Sequence, residues 1–283
     1  MNLIRAQIPA LVVTCLALAL VSCTTPDAVS KFCGSAATTL TSAIPIFDDM
    51  QASCLREVNS REEFGTFKLP SQSDTNCTAI GTEADGAKAA AQLLSDYFSA
   101  INSLASFGTA KAGTDAQNLV TKTGTAVGAS SAAQTALGSI TQFLVSAATS
   151  GYQQRQLEKD LTKVSGNISA VVSALVTIVH DDYIGRQLAS EEQKLADRYR
   201  EFAKDKSPEV KLLLDDKWQA DEQTLQAKRA SAQSLITALQ ALSKGFADLA
   251  ANAHQLKAKG VPGLLGPYVT QLQALIPQIQ KAV

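Results

Sequence analysis

A seven-residue hydrophobic repeat near the C-terminus limits most strongly what this chain can fold into. Its first row consists of Trp218, Leu225, Ala232, Leu239, Phe246 and Ala253. Its second row consists of Leu235, Leu242, Leu249 and Leu256. Two such rows lie along one side of an α-helix and form a seam against other helices, so their side chains should be buried. The repeat therefore predicts a long helix from Pro208 to about Lys259, which begins after Ser207 and ends at Gly260.

A second stripe predicts the partner of this long helix. Its members are Leu157, Leu161, Val164, Ile168, Val171, Leu175 and Ile178. They follow one another in alternating steps of four and three residues. The average step is about 3.5 residues, which is the hydrophobic period of a left-handed coiled coil. After Asp182 the stripe resumes in another register, and this predicts a kink or a local unwinding near 183–185. Because only a tight turn at 205–208 separates them, the segment 151–204 and the long helix should form an antiparallel hairpin.

The rest of the chain also indicates helices. No proline occurs between Pro70 and Pro208, and no run alternates apolar and polar residues as a strand would. The spacing predicts a helix over 85–107, a helix over 27–58 that only Pro45 would break, and a short final helix that opens at 266–267. We therefore predict an all-α fold, an elongated helical bundle with long coiled-coil-like antiparallel helices. Residues 31–283 are expected to form this bundle as one domain.

The N-terminus predicts export. Ile8 to Val21 is an apolar stretch of 14 residues behind Arg5, and it is too short to span a bilayer. It ends in Leu20-Val21-Ser22-Cys23, which resembles the lipobox of bacterial lipoproteins. The resemblance covers only the first 23 residues. The alternative is an ordinary signal peptide that is cleaved elsewhere.

The lipobox resemblance implies a location for the protein. The signal peptide would be residues 1–22, and Cys23 would be acylated and begin a lipidated tether over 23–30. Acyl chains hold a protein on a bilayer without a transmembrane helix. Because Thr24 follows the cysteine, the resemblance implies attachment to the outer membrane of the cell envelope, facing either the periplasm or the cell surface.

The remaining cysteines predict one disulfide. In a continuous helix over 27–58, Cys33 and Cys54 would lie about 31 Å apart, which no disulfide can bridge. Cys54 and Cys77 are therefore the predicted pair, and they would join this helix to a loop predicted over 69–81, with Cys33 free. A break at Pro45 would instead allow Cys33 to reach Cys54. No CxxC or histidine spacing indicates a metal site.

A long uncharged segment allows two interpretations. Residues 123–154 carry no charge, and neither does the run from Val164 to His180. Uncharged helices usually lie inside a bundle. Alternatively, the segment 113–205 resembles α-helical pore-forming toxins in architecture, whose bundles hide a weakly apolar hairpin that later inserts into a bilayer. That resemblance implies a membrane-inserting protein that uses 113–180.

The chain contains only partial matches to known catalytic and nucleotide-binding motifs. Gly81 to Lys88 has the glycine spacing of a phosphate-binding loop, but Ala87 occupies the lysine position. His180-Asp181-Asp182 is the one cluster suited to metal or acid-base chemistry, and it is predicted to be a polar interruption of the helix. A formal net charge of −1 gives no electrostatic surface for nucleic acid. We therefore predict a non-enzymatic scaffold or protein-interaction module without cofactor or small-molecule substrate, whose partners are the membrane, through its lipid anchor, and a protein of unknown identity.

Overall fold

The computed structural model describes residues 25–60, 74–105, 131–149, 154–255 and 261–282. All secondary structure within these residues is helical, and the predicted all-α bundle is confirmed. The predicted signal peptide 1–22 and Cys23 lie outside the described residues, so acylation stays a prediction. Residues 123–130 and 150–153 of the uncharged segment 123–154 also lie outside them.

Eight α-helices and one π-helix are described. They are α1 (Thr25–Ser42), α2 (Ile44–Ser60), α3 (Thr75–Ala105), α4 (Ser131–Thr149), α5 (Gln154–Thr177), the π-helix (Ile178–Leu188), α6 (Ala189–Ala203), α7 (Pro208–Ala251) and α8 (Val261–Ile279). Two short 3-10 helices cover Ala253–Gln255 and Gln280–Ala282. From Glu158 to Ala203 the chain runs as one continuous helical segment of 46 residues.

Six of these helices form a closed ring, which we call the bundle. In order around the ring, α1 packs on α3, α3 on α4, α4 on α5, α5 on α7, α7 on α8, and α8 on α1. The ring closes over an aromatic cluster in which the Phe98 and Phe246 rings lie 5.5 Å apart and the Tyr97 and Phe246 rings 5.8 Å apart. All three side chains are fully buried. Such edge-to-face contacts stabilise the core beyond the area that they bury.

Helices α1 and α2 together run antiparallel to the whole of α3. Near one end Thr41 contacts Ser95, and further along Lys88 forms an ion pair with Asp48. The predicted single helix over 27–58 is therefore wrong in one respect, since a turn at Ala43 divides it. Pro45 explains the break, because proline lacks the N–H that a continuous helix needs. The two pieces do not fold back on each other.

The predicted antiparallel hairpin is confirmed. Helix α7 packs along α5, the π-helix and α6, and its heptad members from Leu225 to Leu249 are buried. Ser243 faces Ser169 across the hairpin, with their hydroxyl oxygens 3.5 Å apart. The predicted unwinding near 183–185 is the π-helix, whose wider turns absorb the change of register. Helix α7 ends at Ala251, earlier than the predicted 259.

Three helix starts lie earlier than predicted, because the first turns carry start signals that the hydrophobic spacing does not show. The Asp74 carboxylate accepts hydrogen bonds from the backbone N–H groups of Asn76 and Cys77, at 2.9 and 3.3 Å, so α3 begins at Thr75. The predicted loop over 69–81 is therefore wrong from Thr75 onward, and Gly81–Lys88 is helical rather than a phosphate loop. Helix α8 begins at Val261 rather than at 266.

The third early start concerns the predicted tether. Helix α1 begins at Thr25, so residues 25–30 of the predicted tether 23–30 are helical. The sequence Thr25-Pro26-Asp27 suits a helix start, because proline is tolerated in a first turn and acidic residues are favoured there. The described part of the fold begins two residues after Cys23.

Candidate functional site: a two-helix arm and its charged base

The most exposed part of the fold is the end of the hairpin, residues 192–224, which we call the arm. It consists of the end of α6, the turn and the beginning of α7. No residue of the arm is buried, and the first buried residue of α7 is Leu225, which is 3% exposed. Within the described residues, the arm is thus two helices that shield mainly each other, and only its base, at Leu195, also packs against the core.

The apex of the arm combines a polar turn with exposed apolar side chains. Asp205 has a φ of 58°, the left-handed conformation that reverses the chain, and Ser207 is extended before Pro208 starts α7. Val210, Leu212 and Leu213 follow in the first turns and are 40%, 63% and 68% exposed. These large hydrophobic side chains bury little surface when the chain folds. Exposed hydrophobic side chains grouped in this way are typical of contact surfaces.

One side of the arm forms an open groove between α6 and α7. Trp218, the single tryptophan of the chain, lines it together with Tyr199 and Leu214. The Tyr199 hydroxyl donates a hydrogen bond of 2.7 Å to Asp221. Partial burial and this hydrogen bond raise the pKa of Tyr199 to about 12, so the tyrosine stays neutral. Aromatic side chains with a polar rim are enriched in protein interfaces.

A partly buried charge network lies where the arm leaves the bundle, and we call it the junction. Its centre is Arg56 of α2, which pairs in bidentate fashion with Asp49, at 2.9 Å for both nitrogens. The same guanidinium binds Glu191 of α6, at 2.5 and 3.0 Å. Fork-shaped pairs of this kind fix orientation as well as distance. The junction thus holds α6 against α2 in one geometry.

Two further groups complete the junction around Asp49. Lys228 of α7 forms an ion pair of 2.7 Å with one carboxylate oxygen, and the Tyr183 hydroxyl donates a 2.7 Å hydrogen bond to the other. The Asp49 and Lys228 side chains are only 11% and 14% exposed. The two carboxylates and the two cations balance, so the buried charges compensate one another.

The protonation states of the junction are fixed by this arrangement. Burial opposes ionisation of Asp49, but hydrogen bonds from Arg56, Lys228 and Tyr183 hold the pKa of its carboxyl below the usual 3.8. Burial and the neighbouring Asp49 raise the pKa of Tyr183 well above its ordinary value. Neither group can exchange a proton near neutral pH, so the junction is suited to holding helices rather than to acid-base chemistry.

The predicted polar cluster, His180-Asp181-Asp182, lies on the π-helix, and its members have different neighbours. His180 is exposed and its Nδ1 lies 2.6 Å from Asp181. Asp182 forms an ion pair with Arg186, and faces Glu83 of α3. Burial and the nearby Asp182 raise the pKa of Glu83. Among the described residues, no group of three or more His, Cys, Asp or Glu side chains could hold a metal ion.

The cysteines are arranged as the sequence predicted. Cys54 and Cys77 form a disulfide with a Cα–Cα distance of 5.5 Å, and Cys33 is free and buried. The bond joins the end of α2 to the first turns of α3. The alternative pairing of Cys33 with Cys54 is not formed. Burial raises the pKa of the Cys33 thiol, which makes it an unreactive core residue.

Sequence reasoning missed the junction. Asp49 and Arg56 are seven residues apart on α2, which is about two helical turns. This spacing indicates that the two side chains lie on the same face of α2. Their partner Glu191 lies 135 residues further along the chain from Arg56. No local pattern reports a contact over that separation.

Comparison of the chain with protein-family models, with curated proteins and with solved structures finds no match.

Proposed function

We propose that this protein is a lipid-anchored scaffold of the bacterial outer membrane, which presents its arm to a protein partner. Support comes from the lipobox resemblance at Cys23 and from one structural observation. No residue of the arm is buried and exposed apolar side chains lie at its apex, although the remainder of the described fold buries its apolar residues well. Surfaces of this kind are more often protein contacts than accidents of folding.

The anchor and the apex lie at opposite ends of the molecule. Along α7, Gly245 packs against Phe32 near the start of α1, and Lys228 pairs with Asp49 in the middle of α2. The chain from α1 to α2 therefore runs toward the arm, and Thr25 lies at the far end. The 44 residues of α7 span about 66 Å at 1.5 Å per residue. An acylated Cys23 would thus leave the apex roughly 60 Å from the bilayer.

The composition of the apex favours a protein over a lipid surface as the partner. Lys204, Asp205 and Lys206 are exposed at the extreme end, ahead of Leu212 and Leu213. Dipping the arm into a bilayer would carry these charges in first, at a cost of about 2.5–3.5 kcal/mol for each charge that reached the hydrocarbon centre. A protein surface can instead pair them and cover the leucines.

Site-specific photocrosslinking in intact cells tests this function. A photoreactive residue at Leu213 should crosslink to a discrete protein, and Leu212→Ser in the same chain should abolish that product by removing the neighbouring apolar contact. A photoreactive residue at Gln223, which is exposed further down the arm, is the matched control and should give little product. Equal crosslinking at both positions would contradict the proposal.

The anchor has its own test. Cys23→Ser should prevent labelling with a palmitate analogue and should release the protein from the outer-membrane fraction. Retention of label or of membrane attachment in this variant would contradict the proposed lipidation.

The alternative function is membrane insertion through 113–180, and one observation favours it. Helix Glu158–Ala203 is long and apolar enough to cross a bilayer, and its most apolar window is 39% buried within the fold. In the bundle its side chains Ile168, Val171 and Leu175 are buried, so insertion would require this helix to leave the bundle. Dye leakage from liposomes caused by the purified chain, suppressed by Val171→Asp, would favour insertion over the scaffold.

A further inference from the structure

The hairpin carries two open grooves at different heights. The first is the groove of the arm, where α7 contributes Lys211, Leu214, Asp215 and Trp218. The second lies in the bundle between α5 and α7, where α7 contributes Gln240, Ser243, Lys244 and Ala247. We call them the arm groove and the bundle groove.

Both grooves open on the same side of the hairpin. Each α7 residue of the bundle groove lies 29 residues after a residue of the arm groove. At 3.6 residues per turn, 29 residues are close to eight full turns, so the two sets point in the same direction about 43 Å apart.

This side of the hairpin faces away from the core. At the height of the bundle groove, the exposed α7 residues Gln240, Lys244 and Ala247 lie on a different side of the helix from the buried residues Leu235, Leu242 and Leu249. A second elongated object can therefore lie along both grooves without displacing a buried residue of α7. We call this side the outer face.

The charges of the arm groove are arranged on opposite walls. Arg200 lies on the α6 wall and Asp215 lies on the α7 wall, and both line the middle of the groove. Arg200 forms its ion pair with Asp197 of its own helix, and the Asp215 carboxylate accepts a hydrogen bond from Gln219. Lys211 lies nearer the apex and is exposed, so its ammonium can remain in water. The walls thus carry opposite charges at one height.

We propose that the occupant of the outer face is a second copy of this chain, related by a twofold axis parallel to the hairpin. Such an axis places the α6 wall of one copy opposite the α7 wall of the other. Arg200 of each copy then faces Asp215 of its partner, and the pairing occurs twice, as a self-complementary interface requires. The two arms together form a four-helix bundle, in which Trp218 and Leu214 lose their exposure to water.

Parallel packing also agrees with the anchor, and this step rests on the proposed function. Two copies acylated at Cys23 in one leaflet would stand side by side, with their arms at the same distance from the bilayer. Identical grooves would then meet at identical heights. Confinement to a membrane raises the effective concentration of such partners.

Charge reversal in the full-length chain, purified in detergent, tests the proposed dimer. Sedimentation analysis should show a dimer, and dilution should shift the fluorescence of Trp218 toward that of an exposed indole as the dimer dissociates. Arg200→Asp or Asp215→Arg alone places like charges together twice and should raise the dissociation constant by roughly tenfold or more. The double variant Arg200→Asp with Asp215→Arg should restore it, because both pairs are rebuilt in reverse.

A neighbouring residue supplies the matched control. Asp216→Arg makes the same change one position further on, at an exposed site that points away from the groove, and it should leave the dissociation constant unchanged. Circular dichroism of each variant confirms that the helices are intact. A chain that stays monomeric at all concentrations overturns the proposal. A dimer whose dissociation constant is unchanged by both single charge reversals also overturns it.

The dimer and the proposed anchor can fail separately. The same measurement on Cys23→Ser should give the same dissociation constant in detergent, because Cys23 is far from the grooves. If labelling with a palmitate analogue fails but the charge-reversal series behaves as expected, the anchor is wrong and the dimer stands. If the chain is acylated but monomeric, the dimer is wrong and the anchor stands.

Discussion

The two halves of helix α7 share a sequence repeat but have different surroundings. From Leu225 to Leu249 the heptad positions are buried between α5 and α8, and Phe246 is fully enclosed by α3. Below Leu225 the repeat continues to Trp218, which is only partly buried, and the described residues that line its groove come from α6 and α7 alone. A heptad row therefore predicts that two helices pair, but it does not predict that the seam is shielded from water. Shielding needs at least a third element, and within the described part of the chain only the bundle has one.

The largest expected difference between the two halves comes from aromatic truncation. Phe246→Ala should lower the free energy of unfolding by about 3–5 kcal/mol, because it leaves a cavity in a close-packed core. Trp218→Ala should cost only about 1 kcal/mol at dilutions where the chain is monomeric, because part of its surface is already hydrated. Urea denaturation measures both. If the two variants lose equal stability, the arm is as well packed as the bundle and the comparison fails.

The disulfide should affect the bundle and spare the arm. Replacing Cys54 and Cys77 by alanine should cost about 3 kcal/mol in the chain-entropy description, because the bond closes a loop over a sequence separation of 23. Hydrogen exchange resolved along the chain would locate the loss, with faster exchange expected in α2 and α3. Amides of the arm should already exchange faster than those of 232–249 and should change little. Cys33→Ala, at a free buried thiol, is the matched comparison without loop opening.

The junction should make the attachment of the arm sensitive to acid. Because the folded pKa of Asp49 is depressed, its contribution is complete above the unfolded value of 3.8 and is lost as the pH falls through the folded pKa. Asp49→Asn should cost about 2 kcal/mol at pH 7, where it leaves Arg56 and Lys228 under-compensated. The difference between the wild type and the variant should close below pH 3.8. A gap that stays constant down to pH 2 would show that the carboxylate charge does not stabilise the junction.

The smallest expected effect concerns Glu83 beside the π-helix. Its effect on stability changes with pH in the opposite direction to that of Asp49. Its folded pKa is raised above the usual 4.5 by burial and by Asp182, so stability falls as the pH rises through this window. Glu83→Gln should therefore stabilise the protein at pH 7, by less than about 1 kcal/mol because the pair is partly hydrated and Arg186 offsets it. Melting temperatures at pH 7 and pH 4 measure the difference, which should vanish at pH 4. A lower melting temperature of the variant at pH 7 would contradict the prediction, because it would show that ionised Glu83 stabilises the fold.

The parts of the fold that local pattern determines could be predicted well. The steps of three and four residues from Leu161 to Ile178 specify a helical face, and the short polar turn at 205–208 specifies an antiparallel partner. The Cys54–Cys77 pair was predicted from the length of a continuous helix, but the chain breaks beside Pro45, and for that case the sequence had left the pairing of Cys33 with Cys54 open. Helix ends were predicted less well, since the capping of α3 by Asp74 depends on hydrogen bonds that hydrophobic spacing does not report.

The sequence by itself determined that this protein is helical and that its long helices pair as a hairpin. Each of these properties depends on residues a few positions apart or on the geometry of a single helix. Only the tertiary structure decided that six helices close into a ring, that Arg56 meets Glu191, and that the arm is left bare with a groove on its outer face. Those features depend on contacts between segments that are distant in sequence, whose free energy is gained only when the whole chain has packed.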